Sequence, residues 1–233
     1  MMLSNSLALK ASQGAWTPAR LGSSLWLWLR GDQYSAATGN WTDLGAGGRS
    51  LSQGTAANRP AATTLNGLAA LDFDGTNDLL DSADLDASPL AQAYTFFAVC
   101  KDDPGTDGSR TLVDTSSALS ANRMTILQPA NIAVVSGATF VTGSNIGTAP
   151  HVLELVVNGA SSKFRLDGGT EATGNAGANT WGQVRVGSNS VGDAGTFWDG
   201  VIAEIVVASG ELDAATRANV RRYLGRRYAI TVA

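Results

Sequence analysis

The chain has 233 residues and a net charge of −4, and only 15% of its residues are charged. That length suits one large core, and the lack of a basic excess excludes binding to a phosphate backbone. A single cysteine excludes an internal disulfide, and no run approaches the ~20 apolar residues that cross a bilayer, so no membrane partner is expected.

Residues 1–22 read as an N-terminal arm. They are rich in Ser and Ala, with scattered apolar residues at Leu3, Leu7, Leu9 and Trp16, and Pro18 and Gly22 break any long element. Residues 1–10 have neither a basic start nor a long apolar block, so no signal peptide is expected. Free ends fray unless tied down, so the arm is expected to pack on the domain or on a neighbouring subunit. Residues 23–233 read as one domain.

Leu25-Trp26-Leu27-Trp28-Leu29-Arg30 is the first strong strand. Alternation puts the three Leu on one face and Trp26, Trp28 and Arg30 on the other. The two Trp suit a sugar platform or a core wall, and the Leu opposite them favour the core. Next come Trp41 to Leu44 and a Gly-rich turn that opens no helix, which excludes a phosphate-binding loop. Residues 65–80 form a hairpin pattern with turn pairs at Asn66-Gly67 and Asp74-Gly75. Asp72, Asp74, Asp78, Asp81, Asp84 and Asp86 gather there. Calcium takes oxygen ligands, so it is a possible cofactor, but the spacing matches no calcium-loop motif and turn chemistry accounts for Asp at such positions.

Tyr94 to Cys100 is another strand, with Cys100 as a small buried apolar residue. Short apolar runs follow at 111–114, 123–127, 131–135, 139–141, 151–158, 162–167 and 183–187, each ended by turn-forming residues. Asp199-Gly200 reads as a turn into Val201-Ile202-Ala203-Glu204-Ile205-Val206-Val207, a central strand. Alternation predicts Val201, Ala203, Ile205 and Val207 on one face and Ile202, Glu204 and Val206 on the other. The last element is a helix from Asp213, its N-cap, to Tyr228. Val220, Tyr223, Leu224 and Tyr228 make its apolar stripe; Arg217, Arg221, Arg222, Arg226 and Arg227 read as a solvated face or a basic docking patch.

Taken together, residues 25–32, 41–44, 66–78, 198–205 and 212–230 resemble, in order, the concanavalin A-like lectin/glucanase superfamily in its laminin-G-like bacterial and phage branch. The resemblance implies an all-β, two-sheet antiparallel jelly-roll sandwich with one C-terminal helix. It does not imply an activity. Glucanases of that superfamily carry two carboxylates on one face of one strand, and glycosidases need such a pair. The four Glu here are Glu154, Glu171, Glu204 and Glu211, and neither strand Glu (Glu154, Glu204) has a carboxylate two or four residues away. The single His, His151, supports neither a triad nor a zinc site. No enzyme is expected.

Two functions are expected in order. The first is a non-enzymatic bacteriophage virion protein, a capsid or tail decoration subunit held through Leu3, Leu7, Leu9 and Trp16 of the arm. It would be assembled in the host cytoplasm, with other virion proteins and copies of itself as partners. The second is a glycan-binding adhesion module, with Trp181 or Trp198 stacking on a sugar ring and Asn189, with Asn179 and Asp193, supplying hydrogen bonds.

Overall fold

Short runs rich in Val, Ile, Leu and aromatic residues become strands wherever Gly, Asn and Asp supply the turns between them. A computed structural model describes residues 15–83, 85, 87–103, 109–115, 124–128, 131–189 and 196–233. A 3₁₀ helix, Pro18–Ser24, leads into the strands. These are β1 (Leu25–Ser35), β2 (Asn40–Asp43), β3 (Leu51–Ser52), β4 (Ala61–Leu65), β5 (Leu68–Asp74), β6 (Leu80–Asp81), β7 (Tyr94–Asp102) and β8 (Arg110–Thr115). Then come β9 (Thr125–Gln128), β10 (Ala133–Val135), β11 (Thr139–Val141), β12 (His151–Val157), β13 (Ser162–Leu166), β14 (Ala172–Gly174), β15 (Val184–Val186), β16 (Asp199–Ser209) and the helix α1 (Ala214–Tyr228).

The expected two-sheet jelly-roll sandwich is not what forms. The described strands make one continuous sheet, in the order β11-β10-β9-β8-β15-β6-β3-β2-β1-β16-β7-β12-β13-β14, with β4 and β5 joined to it through β16. The named ladders are all antiparallel. The two-residue strands β3 and β6 decide the matter. They carry the hydrogen bonds from β2 to β15, where a sandwich would leave two separate edges. The sheet also curls until its ends meet. Ser136 N and Ala138 N, at the turn between β10 and β11, both donate to the Ala176 carbonyl just past β14, at 2.7 and 3.0 Å. A Cβ on Gly174 of β14 would lie 2.2 Å from the Phe140 ring of β11. The result is a nearly closed, barrel-like sheet, and closure hides the unpaired edges that an open sheet would expose.

The core lies in two layers. Inside the curl, Leu27, Leu29, Trp41, Phe73, Phe96, Cys100, Trp181, Trp198, Ile205 and Val207 belong to one large cluster. Outside it, Trp28, Phe97, Val99, Val201, Ala203 and Val206 meet Val220, Tyr223, Leu224 and Tyr228 of α1. Asp213 caps that helix by accepting from Thr216 N at 2.9 Å.

Bulges in β1 and β16 break the strict alternation expected there from the sequence. Between Leu25 and Leu27 the pairing of β1 with β16 slips, so Trp26 joins Leu27 and Leu29 inside while Trp28 faces out. Between Ile202 and Glu204 the pairing of β16 with β7 slips as well. Ile202, Ile205 and Val207 then point inward, and Val201, Ala203 and Val206 point outward. A bulge adds one unpaired residue and inverts every face beyond it. Asp199-Gly200 is not a turn but the start of β16. Gly200 has φ 145°, and a Cβ there would sit 2.4 Å from the Lys101 carbonyl oxygen.

Trp181 is fully buried, with its ring centroid 5.5 Å from Trp26, 5.9 Å from Tyr94 and 6.2 Å from Phe96. Trp181→Ala is expected to cost about 3–5 kcal/mol, read in urea as a lower midpoint at unchanged slope.

Candidate functional site

The sequence-predicted sugar platform does not form. Trp181 and Trp198 are both 0% exposed, because each buries its large apolar ring against the inner core and leaves no face for a ligand. Asn189 stays partly exposed. Asn179 offers its backbone carbonyl to Gln92 Nε2 at 2.8 Å and to Ser136 Oγ at 3.0 Å. Trp16 is partly buried, with its ring 6.3 Å from Tyr223 of α1, so the base of the arm rests on its own domain. Leu3, Leu7, Leu9, Asp84, Asp86 and Asp193 lie outside the described residues.

The carboxylates considered for catalysis are occupied in holding α1. Glu204 is 0% exposed; its Oε1 accepts from Trp28 Nε1 at 2.6 Å and Tyr223 Oη at 3.0 Å, and its Oε2 from Tyr228 Oη at 2.9 Å. Burial raises its pKa, and the three donors and nearby Arg227 offset only part of that rise. Glu154, 1% exposed, accepts from Arg217 Nη1 at 2.6 Å and is paired with Arg221. The basic stripe of α1 is therefore only partly solvated: Arg217, Arg221 and Arg227 turn to the sheet, and Arg222 and Arg226 remain exposed. His151 Nδ1 lies 2.5 Å from Asp167 Oδ2, whose Oδ1 accepts from Val152 N.

At the second turn Asp74 and Asp78 are engaged in turn bonds. Asp74 Oδ1 accepts from Thr76 N at 2.9 Å, and Asp78 Oδ2 accepts from Asp74 N at 3.1 Å. Among the described residues no group of three or more His, Cys, Asp or Glu is arranged to hold a metal ion. Among the described residues no helix is long and apolar enough to cross a membrane.

A polar row on the outer face, away from α1, is the better candidate. Val184 and Val186 point into the core, so Arg185 between them points out. Arg185 Nε and Nη2 donate to the two oxygens of Asp81 on β6, at 2.8 and 2.7 Å, and Nη1 donates to the Asn189 carbonyl at 3.1 Å. A bidentate fork of this kind fixes both side chains. The Asp81 bonds push the Arg185 pKa further up, so it stays a cation. Register places Asn40 of β2 beside Ser52 of β3, Ser52 beside Asp81, and Asp114 of β8 beside Arg185. Asp114 is fully buried, and its Oδ1 accepts from Thr125 Oγ1 and Thr115 N, each at 2.7 Å. At about 4.8 Å per strand the row spans roughly 19 Å. The sequence carried a signal for it that went unread: a charged residue flanked by two inward valines on a strand must face outward.

No protein-family model matches the chain, and no curated protein sequence does. Solved structures do. A Trypanosoma rangeli sialidase in complex with sialic acid is 15% identical with a TM-score of 0.60, over 88% of this chain and 33% of that one. Domain 4 of AbnA, a GH43 extracellular arabinanase from Geobacillus stearothermophilus in complex with arabinotriose, is 12% identical with a TM-score of 0.63, over 85% of this chain and 98% of the domain. The binding domain of botulinum neurotoxin serotype G is 9% identical with a TM-score of 0.62, over 86% of this chain and 51% of that one. The chain spans about a third of the sialidase. At these identities the likeness shows the fold alone: a β-rich fold found in glycan-handling enzymes and in binding domains. It does not show membership of the concanavalin A-like superfamily.

Asp78 is 4% exposed, and burial raises its pKa from 3.8 to about 6. The folded state then keeps a proton that the unfolded chain has lost, so this group's contribution to stability falls as pH rises from about 4 to about 6 and is flat above. Asp78→Asn is expected to remove that part of the slope in urea unfolding measured between pH 4 and 7; an unchanged difference from wild type would contradict the assignment.

Proposed function

We propose that the protein is a non-catalytic glycan-binding module whose ligand lies along the row Asn40, Ser52, Asp81, Arg185. The observation that carries this reading is the Arg185–Asp81 fork. Sugar hydroxyls both donate and accept. Asp81, its side chain 27% exposed, has lone pairs left after pairing with Arg185, and exposed Ser52 and Asn40 supply both kinds of partner beside it. The fixed Arg185–Asp81 pair orients a ligand at little entropic cost. Supporting it, the arabinanase domain, which matches 85% of this chain, was solved with arabinotriose. Glu154 and Glu204 are buried and bound to α1, which leaves neither to protonate a leaving group.

The test is a glycan array followed by calorimetric titration with arabinotriose, 3′-sialyllactose and any array hit, with and without calcium. Binding without hydrolysis, weakened at least ~10-fold by Arg185→Ala, is expected. No hit at millimolar glycan, or an unaffected Arg185→Ala variant, sinks the reading.

A second reading is a structural subunit of a bacteriophage particle, with other virion proteins and further copies of this chain as partners. Trp16 favours it, since its contact with α1 gives the arm a fixed anchor. The measurement is solution mass for the full chain and for a truncation starting at Leu21. An oligomer that becomes a monomer on truncation supports it, and two monomers count against it.

A further inference from the structure

The C-terminal half of α1 carries two shallow grooves that the glycan reading leaves unused. One, of about 360 Å³, is lined by Trp16, Leu68 and Tyr223 with Arg226 and Arg227; the other, of about 420 Å³, by Arg222, Arg226, Ile230 and Val232. Arg226 stands between them. Of the five helix arginines, Arg217 and Arg221 are paired with the buried Glu154 and Arg227 with the buried Glu204. Arg222 and Arg226 are exposed; Arg226 Nε donates to the Arg222 carbonyl at 3.2 Å, and no carboxylate among the described residues pairs with either guanidinium. Two like charges one helical turn apart repel each other, and both crowd the last turns of the helix.

We propose that this face docks an acidic peptide segment of a partner protein, its carboxylates on Arg222 and Arg226 and its apolar side chains in the two grooves. Charge complementarity and the lining together select that chemistry. The charged groups of the grooves are all guanidiniums, which donate and cannot accept, so a sugar's hydroxyl protons would find few partners there. Apart from Thr17 in the first groove and Thr231 in the second, the remaining lining is mainly apolar and aromatic, which suits Leu-like side chains. An extended peptide alternating apolar and acidic residues presents carboxylates to the ridge and apolar side chains to the grooves. The chain's own arm does not fit this role, because residues 1–14 contain Lys10 and no Asp or Glu. Helix α1 packs on β7 and β12, whereas Arg185 stands on β15, well removed from them in the strand order, so a docked peptide and a bound glycan are not expected to compete.

The probe is a fluorescently labelled peptide of alternating Leu and Glu, titrated against the full chain by anisotropy, with a Leu–Lys peptide as the control. Binding is expected for the acidic peptide alone. It should weaken with salt and drop at least ~10-fold in Arg226→Glu and in Arg222→Glu, both exposed positions whose reversal leaves the core untouched. A change in Trp16 emission on binding, lost in Trp16→Phe, reports the groove itself. Arg185→Ala should leave peptide binding unchanged, which separates this proposal from the glycan reading. The proposal is overturned if the acidic peptide fails to bind at millimolar concentration, if Arg226→Glu binds as well as wild type, or if the Leu–Lys peptide binds equally. Displacement of the peptide by 3′-sialyllactose would overturn it too, by making the face a glycan site.

Discussion

Strand β16 is hydrogen-bonded along both edges, and the rest of the sheet is arranged by the way it shares them. On one edge β5 takes Asp199 to Ile202 and β1 takes Glu204 to Ala208; on the other, β7 runs the whole length from Gly200 to Ser209. Two partners can divide one edge only if the strand changes course between them, and the bulge next to Ala203 supplies that change. The same bulge turns Ile205 and Val207 into the inner core and leaves Glu204 facing out. From this one strand the sheet propagates in both directions until β11 and β14 meet.

That outward turn of Glu204 explains how the helix is held. A fully buried carboxylate is costly unless its lone pairs are met, and here Trp28, Tyr223 and Tyr228 meet them. Glu154 is satisfied in the same manner by Arg217 and Arg221. Removing a partner of such a bond leaves a buried charge or a buried donor unsatisfied, so α1 is tied to the sheet by these polar bonds as well as by its apolar stripe. Two of the four Glu in the chain are spent in this way. The exposed half of the helix surface is then what remains available to a partner.

The polar row and the helix face divide the molecule into two surfaces of different chemistry. Along β2, β3, β6 and β15 the row offers both donors and acceptors, and the Arg185–Asp81 fork fixes the two charged members. At the end of α1 the charged groups only donate, and the surroundings are mainly apolar and aromatic. A ligand rich in hydroxyls suits the first and a ligand carrying carboxylates and hydrocarbon suits the second.

The sequence by itself determined most of the longer strands, the closing helix with its Asp213 cap, and the burial of Cys100, because these follow from local periodicity and turn residues; β3, β4 and β14 were not among them. The Asn66-Gly67 hairpin was legible for the same reason: both residues have positive φ, at 50° and 82°, the geometry an Asn-Gly turn provides. Tertiary structure alone decided the rest. Alternation says that a residue faces in or out but not which strands pair, so the joining of β2 to β15 through two-residue strands, and hence one sheet instead of two, could not be read. Bulges carry no reliable composition, so the faces of Trp26 and Glu204 were invisible. Trp181 and Trp198 look like loop aromatics in sequence and are drawn inside by the curl of the sheet. The Arg185 row joins residues from five strands far apart in the chain, and only the pairing register, which no local pattern encodes, brings them side by side.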